Sequence, residues 1–171
     1  MGKFKNMIIG KGITIPELLA SKIQIRTTCE YTDREAFLFT IALAGVAMCL
    51  EKEGLKKEDL RNVVVLFTNE GSFEYNLEDS EAIGYKICLI VYSVYGWRHP
   101  KYGGDEEVIL MTYLEELIHH FWQIDDEVVV KEKVTQVMNA IFPTKNYTIL
   151  SFYSSTFLNN ELVSQGKEPR F

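Results

Sequence analysis

Residues 113–121 read Tyr113-Leu114-Glu115-Glu116-Leu117-Ile118-His119-His120-Phe121. Around them, Leu110, Leu114, Leu117 and Phe121 recur at intervals of four, three and four residues, the mark of one apolar helix face. The spacing predicts a helix over 106–122. Residues four apart share a face, so Glu115 falls in line with His119 and Glu116 with His120. One turn of this helix therefore presents two carboxylates and two imidazoles. A catalytic zinc ion needs about three protein ligands and an open position for water. Ligands at i and i+4 with a carboxylate at i+1 as base would supply most of that set.

Downstream, Gln123-Ile124 makes a short turn, and Asp125-Asp126-Glu127 is acidic, as the positive end of a helix dipole prefers. A third helix is expected from there to about residue 141, stopped by Pro143, which has no amide hydrogen to continue the ladder. Glu127 precedes Val130 by three and falls on the inward stripe continued by Val134, Val137, Met138 and Ile141. An unpaired carboxylate there is costly, so a metal, a histidine or the helix N-terminus is expected to partner it. Asp125 or Asp126 takes that place if the register shifts by one or two residues.

Upstream, Thr32-Asp33-Arg34-Glu35 has the form of a capping box, and Gly54 closes the helix that it opens. Between them, residues 37–50 carry no charge, which predicts a helix deeply buried on all sides. Ala44 and Ala47 are small enough to let a neighbour approach closely, so Ala44→Glu is expected to abolish soluble expression. Residues 63–67 form an apolar, β-branched strand. Further strands are expected over 73–75 and 85–95, and a last one over 147–152. Segments 13–19 and 23–26 suit either short strands or a helical turn. The glycine- and proline-bearing stretch 96–105 reads as a loop, with His99 on the surface and Gly103-Gly104 as a turn. Tyr92 and Tyr95 could line a cleft or fill half-buried strand positions.

The chain has 171 residues, 47% hydrophobic and 12% aromatic, enough for one domain with a real core. No linker divides it, so residues 1–171 are expected to be a single domain with a frayed polar tail over 159–171. A net charge of −6 and the lack of an arginine-rich run argue against general nucleic-acid binding. The uncharged 37–50 run has 14 residues, short of the ~20 that cross a bilayer, so no membrane span is expected. Residues 1–11 lack the apolar core of a signal peptide. Cys29, Cys49 and Cys88 are widely spaced and odd in number, which suits reduced thiols and a cytoplasmic location.

The run at 113–121 resembles the active-site helix of zincin metallopeptidases, whose pattern is H-E-x-x-H, often H-E-L-x-H-H-F. Glu115 stands where the family has its first histidine, Glu116 matches the catalytic glutamate, and His119 matches the second histidine. The order of helix, strands, active-site helix and a glutamate-bearing helix also resembles a small gluzincin-like core. The resemblance implies an α+β, zincin-like fold with three main helices and a small, mostly antiparallel sheet, residues 86–95 bordering a substrate cleft. It implies a divalent metal, zinc first, held by Glu115, His119 and Glu127, with Glu116 as the base that activates water. Two carboxylates and one imidazole are harder than zinc prefers and also suit iron or manganese. Glu116 and His119 alone have the E-x-x-H spacing of ferritin-like di-metal bundles, which need a second copy that this chain lacks. Against all of these stands the ordinary reading, in which the acidic residues serve the helix dipole and the Glu-Glu and His-His pairs form a solvated face. Two functions follow. One is a zincin-like metalloprotein, a peptidase if active. The other is a catalytically inactive descendant, without cofactor, that binds or regulates a peptide or protein partner.

Overall fold

Thr32 opens the first long helix as its sequence predicts. Its hydroxyl accepts the Glu35 amide at 3.2 Å, and the Glu35 carboxylate accepts the Thr32 amide at 2.6 Å. The computed structural model describes residues 8–9, 11–69, 88–98 and 105–171. In it this helix, α1, spans Asp33–Lys52 and ends at Gly54, whose φ of +77° is the left-handed value that a helix stop requires. It buries Leu38, Phe39, Leu43, Val46, Ala47 and Leu50 but leaves Phe37, Ala44 and Met48 exposed. Burial on all sides is thus corrected, and Ala44 with it, because α3 and α4 pack against only part of the helix circumference.

The sheet runs β1 (Ile8–Ile9), β2 (Ile23–Thr27), β3 (Val63–Thr68), β4 (Leu89–Ser93) in spatial order. β2, β3 and β4 are mutually parallel, with Ile25 beside Val65 and Val65 beside Ile90; β1 alone pairs antiparallel, with β2. The expected mostly antiparallel sheet is therefore overturned. The reason is the connection: α1 carries the chain from the end of β2 back to the start of β3, and such a crossover makes neighbouring strands parallel. A continuous apolar strand such as β3 is what a covered parallel sheet demands.

The 85–95 strand is shorter than expected. It ends at Ser93, and Val94–Arg98 coils into a short helix, α2, that buries Val94 and Trp97. This turn brings Arg98 onto Glu35, with Nε 2.8 Å from one carboxylate oxygen and Nη2 2.7 Å from the other. Burial pushes the Glu35 carboxyl up, but the Arg98 guanidinium and the Thr32 amide outweigh it and hold the group below its ordinary value. A depressed carboxylate stabilises the fold above its unfolded pKa, about 4.3, and loses that contribution as pH falls through the folded value. Glu35→Gln should therefore cost about 1–2 kcal/mol near pH 7. The difference from the parent should shrink in urea titrations run below pH 4. A constant difference across that range would remove Glu35 as the source.

α3 (Glu106–Phe121) and α4 (Glu127–Ile141) lie where the apolar spacing predicts them. Asp105 caps α3 by accepting the Glu107 and Val108 amides, and Asp126 caps α4 by accepting those of Val128 and Val129. Instead of a strand over 147–152 there is one 3-10 turn, Ile149–Ser151. The 159–171 tail is not frayed. Helix α5 (Ser155–Ser164) buries Leu158 and Leu162, and the Asn159 side chain binds the backbone of Arg170 and Phe171 at 2.8–3.0 Å. One amide side chain thus satisfies three backbone groups near the chain end, which composition does not reveal.

The described residues form a mixed α/β fold in which α1, α3 and α4 pack on one another. At its centre Phe39, Phe67, Tyr92, Trp97 and Tyr113 pack edge to face, and the Tyr92 hydroxyl donates to the Tyr113 carbonyl at 2.8 Å. Tyr92 is therefore a core residue and lines no cleft, whereas Tyr95 is 62% exposed. Cys29, Cys49 and Cys88 are free thiols. The strand expected over 73–75, and His99, Gly103 and Gly104, lie outside the described residues.

Candidate functional site

α3 and α4 are joined by a tight turn in which Gln123 takes a left-handed φ of 56°. The reversal lays the last two turns of α3 beside the first two of α4, so Glu115 and His119 face Glu127. His119 Nε2 stands 3.2 Å from Glu127 Oε1, and its Nδ1 is 2.6 Å from the Ile124 carbonyl oxygen. Both ring nitrogens thus point at oxygen atoms, one on the Glu127 carboxylate and one on the Ile124 carbonyl.

The centre of the group is a residue that the spacing argument passed over. Lys131 lies one turn after Glu127 on α4, and its side chain is only 8% exposed. Its ammonium sits 3.0 Å from Glu115 Oε2 and 3.0 Å from Glu127 Oε2. Burial lowers its pKa, yet the two carboxylates outweigh burial and raise it above the ordinary lysine value. From the segment after the 3-10 turn, the Tyr153 hydroxyl donates to Glu115 Oε1 at 2.7 Å, and the Lys131 ammonium lies 5.6 Å from the Tyr153 ring centroid. Burial and then the Glu115 charge push the Tyr153 phenol above its usual range.

All four carboxylate oxygens are thereby engaged: Glu115 by Tyr153 and Lys131, Glu127 by His119 and Lys131. The zinc that the family resemblance implies meets a poor fit here. A cation already lies between the two acidic ligands, and a dication would have to displace it and break both ion pairs. Among the described residues no group of three or more histidine, cysteine, aspartate or glutamate side chains is arranged to hold a metal ion. Glu116, expected as the catalytic base, is exposed and makes no hydrogen bond or ion pair with the described residues. Asp125 is exposed as well, and Asp126 is occupied as the α4 cap and by Lys167.

His120 turns the other way. The Arg61 backbone holds its ring, Nε2 is buried without a hydrogen-bond partner, and burial pushes its pKa down. A cavity of about 370 Å³ opens elsewhere, at the carboxyl end of β2, lined by Thr27, Cys29, Tyr31 and Asp33 among others; it shares no residue with the cluster. Lys131 had a visible signal, since Glu127 and Lys131 form an i,i+4 pair in the favoured order. Tyr153 had none, because its approach to Glu115 depends on how the chain returns after α4. No helix among the described residues is long and apolar enough to cross a membrane. Comparison with protein-family models, with curated proteins and with solved structures finds no match.

Proposed function

We propose that this chain is a non-catalytic binding or regulatory protein on a degenerate zincin-like scaffold, in which Lys131 takes the place of the metal. The observation that carries the reading is the Lys131 ammonium, 3.0 Å from both Glu115 and Glu127. In a metal-bearing relative, acidic and imidazole ligands on two adjacent helices surround a dication. Here a side chain of the protein supplies the positive charge between the two carboxylates. The exposed Glu116 agrees with this, since a base with no substrate-activating cation beside it has no water to deprotonate. The partner in this reading is a peptide or protein segment, the ligand class of the resembled scaffold.

A zincin-like metalloprotein is the second reading, and one feature favours it. A metal-ligating histidine characteristically sets its second ring nitrogen against a carbonyl, as His119 Nδ1 stands against that of Ile124, which leaves Nε2 facing Glu127. Metal analysis separates the two. Parent protein purified without chelator should contain well under one zinc, iron or manganese per chain, and added zinc should leave its melting temperature unchanged. Lys131→Ala removes the resident cation and should acquire a zinc-dependent rise of at least about 5 °C, the size that binding to the native state alone produces at saturating ligand. Stoichiometric metal in the parent, lost in Glu115→Gln, would reverse the conclusion in favour of the metalloprotein.

A further inference from the structure

The uncharged run 37–50 promised a helix covered on every side, yet one face of α1 looks outward. Phe37 is 50% and Met48 52% exposed, Ala44 is exposed, and Ile41 between them is half-buried. These four residues are spaced four, three and four apart, the spacing of a coiled-coil seam and not of scattered surface apolar residues. The stripe is bounded by charge at both ends, Arg34 before it and Glu51 after it.

We propose that this face is a docking surface for a second copy of the chain, with the two α1 helices packed antiparallel about a two-fold axis passing between Ala42 and Leu43. The stripe is complementary to itself under that operation. Phe37 of one copy comes opposite Met48 of the other, Ile41 opposite Ala44, and Arg34 opposite Glu51. Each layer sets a larger side chain against a smaller or more flexible one, which lets the helices approach closely. The terminal layer sets Glu51 against Arg34, a half-exposed guanidinium that also binds Glu106 of its own chain. Antiparallel alignment also places each helix N-terminus beside its neighbour's C-terminus. A two-fold contact must be self-complementary, and the residue types meeting in each layer here satisfy that. Beside Met48 a groove of about 460 Å³ runs between α1 and α4, lined by Met48, Cys49, Lys52, Gln136, Asn139 and Ala140. It lies where Phe37 of the second copy arrives. The surface is independent of the Lys131 cluster, so it stands or falls apart from the functional reading above.

Sedimentation velocity on the full chain, from about 1 to about 100 μM, the range in which specific contacts between small proteins are populated, tests it. The parent should sediment at twice the chain mass at the upper end. Ala44→Glu, which puts a charge at the middle of the stripe, should be monomeric throughout, a loss of at least 100-fold in self-association, with the parent's circular dichroism spectrum. If Ala44→Glu does not fold, Phe37→Ser carries the same expectation from a half-exposed position. Under mild oxidation Ala44→Cys should form a covalent dimer well above the parent's background, because the two copies of residue 44 flank the proposed axis. A parent that is monomeric at every concentration, a dimer that persists in both charge and polar variants, or a dimer without the Ala44→Cys cross-link overturns the proposal.

Discussion

Phe39→Ala should lower the unfolding free energy by about 3–5 kcal/mol, the usual cost of emptying a large aromatic site in a packed core. Phe39 is fully buried, and its ring centroid lies 4.8 Å from that of Tyr113, 5.1 Å from Phe67 and 5.7 Å from Tyr92. These neighbours come from α3, β3 and β4, so the ring joins helix to sheet at the point where all four elements meet. Truncation would remove edge-to-face contacts worth about 0.5–1.5 kcal/mol each beyond area burial. The neighbours cannot collapse freely, because the Tyr92 hydroxyl is fixed to the Tyr113 carbonyl. Phe37, two residues earlier on the same helix, provides the control. It is half exposed, and Phe37→Ala should cost less than about 1 kcal/mol in the monomer. Urea denaturation of both variants at one low protein concentration measures the contrast. Equal effects would mean that α1 is rotated from the orientation described.

Where a local rule acted alone, the sequence was readable. Thr32 and Glu35 place the start of α1, Gly54 its end, and the apolar spacing from Leu110 to Phe121 gives α3 within a residue. The acidic run 125–127 marks a helix start, and Asp126 fills that role. Strand direction was less legible. IQIRT alternates like a strand but is only five residues long, too short to decide between strand and turn, and without β2 the role of α1 as a crossover is invisible. The 159–171 tail reads as frayed because its anchors, Asn159 and the buried Leu162 with Leu158 just before it, are too few to alter the average composition.

The site divides in the same way. Helical spacing does bring Glu115, His119 and Glu127 to one place, since the i,i+4 relation and the short 123–124 turn are local facts. What fills the space between them is a tertiary fact. The inward place of Glu127 poses a charge problem that a metal, a histidine or the helix N-terminus could each solve. The structure uses a lysine from the next turn of the same helix, together with His119 and Tyr153. Lysine by type belongs to the solvated face, so only its i,i+4 place after Glu127 marks Lys131 as inward.

Lys131→Met should therefore be the most damaging conservative change in the α3–α4 pair, at about 2–4 kcal/mol. Breaking a buried ion pair by removing one partner costs about 3–5 kcal/mol because the other charge is left unpaired. Solvent tempers that figure here, since the Glu115 and Glu127 side chains are 27% and 40% exposed and are partly screened. The methionine keeps most of the packing volume, so the loss reports charge and not a cavity. Glu115→Gln and Glu127→Gln introduced on top of Lys131→Met should recover much of the loss, because they remove the carboxylates that the lysine neutralised, and the cycle isolates the coupling. The pH dependence has a definite sign. Lys131 has a raised pKa in the fold, so its contribution is fully present below the unfolded value of about 10.4 and is lost as pH rises through the folded value. Between about pH 10 and 12 the parent should thus lose stability more steeply than Lys131→Met. Parallel curves there, together with no recovery in the glutamine variants, would show that the ammonium is not what holds Glu115 and Glu127 together.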